Sequence, residues 1–555
     1  MQLYAAGNAG NGSAATELLP AAVTTSSGGG FAVSGGYTCP SSQTPIYLVS
    51  KGGQAGSSSL ANPSLWLMTA LGACSSIGAG SSFVLNEVTT AASVWSLASF
   101  LSSGANVGAS CTNGTGLANA FLNAEALANP ATGASPGAGI ASTLMVPTGK
   151  LNTLANALAS CTTSSGGGGC AALFNAAASG SAVPDNTLDA AMNIAHAPAN
   201  SVAAIYTLAT GSAIFAPALS AAPPDWMLHN TVSGGGMSLP TSVSVAASGN
   251  VWVSNYFDAV SEFTSGGAAV FPAGIGGNGI NQSFGMALDV QGDVWIANEQ
   301  TSSSSGLGDV TELNSSGQVL ATGLTNGGVD FPIAAAADSN GNMWFADYGD
   351  SRVTVLSGSG AAVSGAGGWG GTSLALPVAL AVDGSHNAWV ANQAGELPIT
   401  KISADGTEVS DFDCHCNGAS GIAVDQRGNV WVANYYGNSI SEVNGCGTLV
   451  LDAATGGGIY HPQGIAVDGA GTIWVANYLG DSVSELNGAS SAAPGTFASS
   501  ASGFGSDAGL LKPYGLAIDA SGSVWVTNSG NNSLTQFIGI AAPVKTPMAG
   551  PPQTP

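Results

Sequence analysis

Tryptophan recurs at nearly even spacing through the second half of the chain, and this repeat limits the possible folds more than any other feature. The gaps between successive copies are 43, 49, 45, 42, 43 and 51 residues. A period of this length is typical of proteins built from repeated units of secondary structure. The seven copies are Trp252, Trp295, Trp344, Trp389, Trp431, Trp474 and Trp525.

The residues around each tryptophan keep a constant register. Three positions after it, all seven copies have Asn or Asp; six positions before it, six have Asp, and three before it, six have Gly. Asp and Gly at this spacing favour a hairpin turn, and the Asn or Asp after the tryptophan is expected to cap a strand. In one copy, segments 464–468, 472–477 and 482–486 are predicted strands. Seven units of four antiparallel strands predict a seven-bladed β-propeller over 227–540.

The repeat Pro-x-Gly-Ile-Ala-Val-Asp-x-x-Gly-Asn-Val-Trp-Val-Ala-Asn resembles that of NHL-repeat propellers. It is also similar to streptogramin (virginiamycin B) lyase-like and gluconolactonase-like propellers, and it covers about residues 240–540. The resemblance implies a propeller but no particular activity, because the repeated residues describe the blade. A streptogramin lyase-like activity would imply a His and Glu set that holds magnesium on one face.

The N-terminal part predicts two further domains. With the propeller they give a fold that is mainly β. Residues 1–58 predict β structure, with strands at 2–5 and 46–49 and a turn between strands over 23–33. This segment resembles a carboxypeptidase regulatory-like (prealbumin-like) β-sandwich of secreted bacterial proteins, which usually has an earlier strand. We therefore expect Met1 to be a truncated or misplaced start, with an export signal upstream.

Residues 60–215 predict an Ala-rich helical domain, followed by a linker over 216–226. The last segment, 541–555, is rich in proline and is expected to be disordered or extended. The predicted helices cover 63–71, 86–101, 116–127, 149–158, 185–195 and 201–208.

Charge and composition exclude several classes of partner. The 555 residues include 7 Lys and Arg against 31 Asp and Glu, which gives a net charge of −24. So few Lys and Arg side chains cannot neutralise the phosphates of a nucleic acid, so no nucleic-acid partner is expected. An anionic membrane is a poor partner for the same reason. The sequence has no apolar run of about 18 residues, so no membrane-spanning helix is predicted. Low charge and eight cysteines favour an extracellular, cell-surface or periplasmic location.

The cysteines suggest two disulfides. Cys161 and Cys170 flank a Gly-rich loop, and Cys39 and Cys74 could pair across the first two domains. The segment 414–416 has only one residue between its cysteines, so a zinc site is not predicted there. The sequence leaves the pairing of four cysteines open, namely Cys111, Cys414, Cys416 and Cys446.

Aromatic and amide side chains on one propeller face predict a binding surface. Such surfaces suit a glycan or a protein partner, although packing of the same tyrosines between blades is an equal alternative. We carry His461 as a further candidate because it precedes an inner strand near the axis. The candidate binding residues are Tyr256, Tyr348, Tyr435, Tyr436, Tyr478, Tyr514, Asn434, Asn477 and His461.

Two functions therefore remain open. The first is an exported, non-catalytic recognition or scaffold protein that binds a protein or glycan through one propeller face. The alternative is a metal-dependent lyase or lactonase, and three or more inward His, Glu, Asp or Asn side chains on the axis would favour it. No catalytic residue and no cofactor are predicted. A divalent cation on the propeller axis is expected only if the chain is the metal-dependent enzyme. The recurrent glutamates, such as Glu312 and Glu442, fall on third strands away from the axis.

Overall fold

The chain is mainly β, and a computed structural model describes residues 1–33, 36–54, 60–300, 307–370 and 374–555. The predicted boundary between the first two domains, at residues 58–60, falls largely outside the described residues. An N-terminal antiparallel sheet has the strand order β2-β1-β3-β4. Residues 20–33 form no strand. The bounds are β1 Gln2–Ala5, β2 Thr16–Glu17, β3 Pro45–Lys51 and β4 Trp66–Ala73.

Strand β4 corrects the prediction of a helix over 63–71. Its apolar residues suit a strand equally well, and two long-range interactions decide the outcome. β4 pairs with β3, and the side chains of Thr90 and Ser93 accept hydrogen bonds from the backbone N–H groups of Met68 and Ala70, at 3.0 and 2.9 Å. Tertiary pairing therefore overrides the local helical pattern.

Six α-helices follow, and a short hairpin and one short strand lie among them. Their buried side chains, together with those of β3 and β4, form one apolar core that also includes Trp226 and Ile538. The helices in the described ranges are all too short or too polar to span a bilayer. The bounds are α1 Glu87–Leu97, β5 Leu101–Ser102, β6 Asn106–Val107, α2 Gly114–Leu127, β7 Leu144–Met145, α3 Thr148–Thr162, α4 Cys170–Ala176, α5 Thr187–His196 and α6 Val202–Gly211.

Seven antiparallel sheets then follow one another along the described part of the chain. Four of them have four strands, whereas sheets 3 and 6 have three strands plus isolated bridges. Their bounds are β9 Pro240–Val245, β10 Val251–Asn255, β11 Ala259–Phe263 and β12 Ile275–Gly276 (sheet 1); β13 Ser283–Leu288, β14 Val294–Asn298, β15 Asp309–Leu313 and β16 Val319–Leu324 (sheet 2); β17 Pro332–Ala337, β18 Asn342–Asp347 and β19 Arg352–Ser357 (sheet 3); β20 Pro377–Val382, β21 Ala388–Asn392, β22 Ile399–Ile402 and β23 Val409–Phe412 (sheet 4); β24 Ala419–Val424, β25 Val430–Asn434, β26 Ser439–Val443 and β27 Leu449–Ala454 (sheet 5); β28 Pro462–Val467, β29 Ile473–Asn477 and β30 Ser482–Leu486 (sheet 6); β31 Pro513–Ile518, β32 Val524–Asn528 and β33 Ser533–Phe537 (sheet 7).

The sheets are in cyclic contact. The first strand of each sheet contacts the first strand of the next, and β31 of sheet 7 contacts β9 of sheet 1. The fourth strand of sheet 7 is β8, His229–Ser233, which lies before sheet 1 in the chain and pairs antiparallel with β33. Joining the two ends of a repeat in this way removes the exposed sheet edge that would otherwise remain.

The repeated tryptophan and aspartate hold each sheet together. Every one of the seven tryptophans is buried, and in sheets 2 to 7 its indole N–H donates to the aspartate six residues earlier, at 2.8–3.5 Å. The other oxygen of that aspartate accepts two backbone N–H groups of the turn, as Asp289 does from Gln291 and Asp293. One carboxylate therefore fixes both the turn and the indole.

One end of the central channel is covered by the C-terminal segment. Residues 541–555 form no helix or strand but cross the turn end of the sheets, where Val544 is buried. The N–H of Val544 donates to the carbonyl of Asp519, and that of Gly550 donates to the carbonyl of Ala337, on the far side of the ring. Helix α2 packs on the same end, where Asn113 donates to the carbonyl of Ala520.

The segment predicted as a linker, 216–226, ends in two fully buried residues, Asp225 and Trp226. The indole N–H of Trp95 donates a hydrogen bond to the backbone carbonyl of Trp226.

Three disulfides are present in the described residues. Cys39 pairs with Cys74 and Cys161 pairs with Cys170, the pairs proposed from sequence, and Cys414 pairs with Cys416 across His415. Cys111 and Cys446 are exposed and unpaired.

Candidate binding site at the open mouth

The other end of the channel is open, and two rings of variable residues surround it. The second residue of each first strand forms the inner ring, and the residue directly after each second strand forms the outer ring. We call this opening the mouth. The inner ring is Thr241, Phe284, Ile333, Val378, Ser420, Gln463 and Tyr514, all lining one opening. The outer ring is Tyr256, Glu299, Tyr348, Gln393, Tyr435, Tyr478 and Ser529.

The backbone fixes the outer ring in the same way in every sheet. The N–H of each outer-ring residue donates to the carbonyl of the residue preceding the first strand, as Tyr478 does to His461 at 3.0 Å. That preceding residue has a positive φ throughout, 49° at His461 and 70° at Gly418. Since this conformation is costly for residues other than glycine, its repetition shows how strongly the fold determines the mouth.

Asn434 and Asn477 lie beneath the mouth and are fully buried. The side-chain amide of Asn434 donates to Ser439 and Ser441, and that of Asn477 to Ser482 and Ser484. They thus hold together the strands that carry Tyr435 and Tyr478, and their side chains have no exposed surface to offer a ligand.

Five of the candidate residues form a continuous arc of aromatic contacts with one residue that sequence reasoning missed, Phe284. The arc covers the part of the mouth formed by five consecutive sheets of the ring, namely sheets 5, 6, 7, 1 and 2. Centroid separations of 4.5–7 Å are typical of favourable edge-to-face or tilted ring pairs. The separations are Tyr256–Phe284 6.2 Å, Phe284–Tyr514 5.7 Å, Tyr514–Tyr478 6.0 Å, Tyr478–Tyr435 6.3 Å and Tyr435–Tyr436 5.1 Å.

The remaining candidates border this arc. The ring of His461 lies 4.5 Å from that of Tyr435, and its Nδ1 is buried with no hydrogen-bond partner among the described residues. Tyr348 stands across the mouth and donates to the side chain of Gln393 at 3.3 Å. Tyr436 is 61% exposed, so its ring is free to meet a ligand.

The mouth contains a cavity of about 480 Å³ whose polar groups are mostly uncharged. Gln463 donates to the hydroxyl of Tyr514 at 3.0 Å, and Gln393 and Ser420 also line the cavity. Glu299 is the single carboxylate among its lining residues. Burial raises the pKa of Glu299, and the hydrogen bond from Tyr256 partly opposes that rise. Phenols, amides and one carboxylate can donate and accept hydrogen bonds without demanding an ionic ligand.

The channel below the mouth is apolar. The fourth residue of each first strand points to the same narrow space, and these residues are Val243, Met286, Ala335, Leu380, Ile422, Ile465 and Leu516. Among the described residues, one group of three carboxylates lies close enough to share a metal ion, and it sits in sheet 2 at the turn end. The axis itself carries no such group in the described ranges.

Sequence reasoning found the tyrosines of the outer ring but missed Glu299, Gln393 and the inner ring, except Tyr514. The signal was available in the repeat. The outer ring lies four residues after each repeated Trp, and the inner ring is the second residue of each first strand. At both positions the copies differ, whereas the neighbouring residues repeat. A position that varies within a regular repeat is free of the demands of the blade, so it is a natural place for a ligand contact.

The chain was compared with proteins of known family and structure. No family model and no curated protein sequence matches it. Among solved structures, virginiamycin B lyase from Staphylococcus aureus is similar at 13% identity and a TM-score of 0.45, over 56% of this chain and 98% of that chain. A streptogramin B lyase structure is similar at 15% identity and a TM-score of 0.44, over 56% of this chain and 97% of that chain. A chain of a nidogen/laminin complex is similar at 12% identity and a TM-score of 0.33, over 44% of this chain and 88% of that chain. Since all three TM-scores are below 0.5, the fold assignment depends on the sheet topology.

Proposed function

We propose that this protein is an extracellular, non-catalytic recognition module that binds a glycan at the mouth of a seven-bladed β-propeller. The seven sheets are its blades, residues 1–58 and 60–215 form the N-terminal domains, and 216–226 connects them to the propeller over 227–540. The observation that carries the proposal is the aromatic arc around the mouth. Three disulfides support an oxidising compartment.

The chemistry of the mouth favours a neutral ligand rich in hydroxyl groups. A sugar ring offers apolar C–H faces that stack on aromatic side chains, and its hydroxyls pair with amides and phenols. A cavity of about 480 Å³ lies within the size range of small-molecule sites. The low charge at the mouth gives little attraction for phosphate or for a strongly basic peptide. A protein surface is the other candidate ligand, and the experiment below distinguishes the two.

The alternative of a metal-dependent enzyme gains no support from the mouth. A general base must reach the substrate, and a metal needs several converging ligands. Glu299 is the one carboxylate lining the cavity, and His461 contacts tyrosines. The recurrent glutamates Glu262, Glu442 and Glu485 lie opposite the tryptophans of their sheets, away from the axis.

The test is a glycan array probed with the full-length chain, followed by titration calorimetry with the glycan it retains. Replacing Tyr435 or Tyr478 with Ala should weaken binding about tenfold each, since an aromatic contact in a binding site contributes on the order of 1 kcal/mol or more. The matched Tyr478→Phe variant keeps the ring and should retain most of the affinity.

Two results would contradict the proposal. Failure of the array to retain any glycan, together with capture of a protein ligand whose affinity falls in the Tyr435→Ala variant, would assign the mouth to protein recognition. A collapse of the melting temperature in both Ala variants would instead assign these tyrosines to packing between blades.

A further inference from the structure

Among the described residues, a cluster of three carboxylates distinguishes sheet 2 from the other sheets. Asp289 begins the turn between β13 and β14, Asp293 follows it, and Glu312 lies opposite Trp295 on β15. Carboxylate oxygens of all three lie within 4.8 Å of one another. This is the separation expected for ligands around one Ca²⁺, which binds oxygens at about 2.3–2.6 Å. The cluster is at the opposite end of sheet 2 from the mouth.

Glu312 shows that the cluster lacks a counter-charge. Its side chain is 7% exposed, and no hydrogen bond from the described residues reaches its carboxylate. Asp289 is 2% exposed, and its oxygens accept hydrogen bonds from backbone N–H groups and from Trp295. Three buried or half-buried carboxylates at this distance repel one another when all are ionised, and a cation between them would relieve that repulsion as a proton does.

The other sheets carry a hydrogen-bond donor at the position of Asp293. In sheet 1 the position of Asp293 is Asn250, whose amide donates to Glu262 at 2.8 Å. In sheet 5 it is Asn429, whose amide donates to Asp425 at 3.1 Å. Sheet 2 alone has a carboxylate in place of that donor, so it has three acceptors and no side-chain donor except the indole.

Sheet 4 places a cation at the equivalent point. Lys401 occupies the register position of Glu312, opposite Trp389, and its ammonium group lies 3.6 Å from Asp383, the counterpart of Asp289. The fold therefore accommodates a positive charge beside the turn aspartate. In sheet 4 the chain supplies that charge itself, whereas in sheet 2 it supplies a third acid.

We propose that Asp289, Asp293 and Glu312 bind a calcium ion. A site made only of carboxylate oxygens suits a hard divalent cation, and the lack of nitrogen and sulfur ligands argues against zinc or copper. The half-buried Asp293 leaves room for water to complete the coordination shell. With three protein ligands, we expect an affinity like that of extracellular calcium modules, with a Kd of about 10⁻⁴–10⁻³ M.

Trp295 makes the site directly observable. Its indole nitrogen is 3.2 Å from Asp289, so a Tb³⁺ ion bound to the cluster would lie beside it and emit when tryptophan is excited. The experiment uses the full chain after chelator treatment and titrates Tb³⁺ alone, then displaces it with Ca²⁺ or Mg²⁺. We expect saturable emission that Ca²⁺ removes at lower concentration than Mg²⁺ does.

Matched variants assign the ion to these residues. Asp293→Asn restores the amide present in sheets 1 and 5, so it should fold, and its Tb³⁺ affinity should fall at least tenfold. Glu442→Gln, in sheet 5, should leave the emission unchanged. Asn429→Asp should create a second site beside Trp431, because it copies the sheet 2 arrangement.

Three outcomes would overturn the proposal. Emission that does not saturate in the millimolar range excludes the site. Emission that is unchanged in Asp293→Asn places the ion on other acidic residues. Displacement by Mg²⁺ at lower concentration than by Ca²⁺ excludes calcium as the ion.

Discussion

Asp347 is the only acid among the seven residues that end the second strands. In the other sheets this residue is an asparagine whose amide donates to a hydroxyl on the third strand, as Asn434 does to Ser441 at 2.9 Å. Asp347 is fully buried, and its Oδ2 has no hydrogen-bond partner among the described residues. Burial is the main reason that its pKa lies well above its ordinary value.

Asp347→Asn should therefore stabilise the protein. The amide would donate to Thr354 on β19, as its counterparts do, and remove a buried, unsatisfied acid. We expect the free energy of unfolding at pH 8 to rise by about 1–2 kcal/mol. The gain should shrink as pH falls towards 4, because an unfolded Asp with its ordinary pKa of 3.8 is then partly protonated and holding Asp347 protonated in the folded state costs less. Chemical unfolding at the two pH values measures it, and the reverse change, Asn477→Asp, should destabilise the protein.

At this scale, the sequence showed which residues repeat but not which way they face. Asn434 and Tyr435 are neighbours in the chain, yet one is fully buried beneath the mouth and the other lines it. Successive strand residues alternate between faces, and the strand end decides which residue becomes free. The exact register at that end depends on the hydrogen bond from Tyr435 to Gly418, which no local pattern predicts.

At the scale of elements, Lys150 joins helix α3 to the segment before the sheets. It is 3% exposed, and its ammonium group lies 3.1 Å from Asp225 and 2.9 Å from Asp507, which belongs to the loop before sheet 7. Asp225 also accepts hydrogen bonds from the N–H groups of Met227 and Gly505. The two ion pairs of Lys150 thus connect helix α3, the segment before sheet 1 and the loop before sheet 7.

Lys150→Met should destabilise the protein strongly. Removing one partner leaves Asp225 charged and fully buried, which costs about 3–5 kcal/mol. Chemical unfolding followed by tryptophan fluorescence measures the loss. Lys401→Met, at a partly exposed lysine, is the control and should cost less than half as much. Equal losses in the two variants would contradict the role of Lys150 as the connection.

Elements with a strong local pattern could be predicted, and those that depend on distant partners could not. The turn and tryptophan strand of each sheet follow from Asp, Gly and Trp within one repeat. In contrast, β4 is a strand because β3 and α1 supply its partners. Strand β8 joins a sheet in which β7 comes earlier in the chain and β31, β32 and β33 come much later. Loop-closing contacts of this kind leave no trace in local periodicity.

At the scale of the whole molecule, buried carboxylates should make stability depend on pH. Burial raises the pKa of both Glu442, near Asp425, and Glu485, near Asp468, to about 7. Burial and Asp330 together raise that of Asp350 to about 6, against the effect of Arg352. The folded state then holds more protons than the unfolded state between about pH 4 and 7, so stability falls as pH rises through this range.

We expect the melting temperature to be higher at pH 5 than at pH 8, by at least about 4 °C. His229 acts in the opposite direction, because burial lowers its pKa to about 3, but it is one group against several. Calorimetry in the presence of a chelator measures the difference without bound cations. Glu442→Gln should reduce it, and a higher melting temperature at pH 8 would contradict the expectation.

The C-terminal segment turns the channel into a blind well. With Val544 and Gly550 hydrogen-bonded across the far end, the segment lies over the channel opposite the mouth. A ligand of the kind proposed would therefore meet the mouth from outside and would not thread through the ring as a long polymer. Its arrival and departure would use the same opening, so a bound ligand would exclude the next one until it leaves.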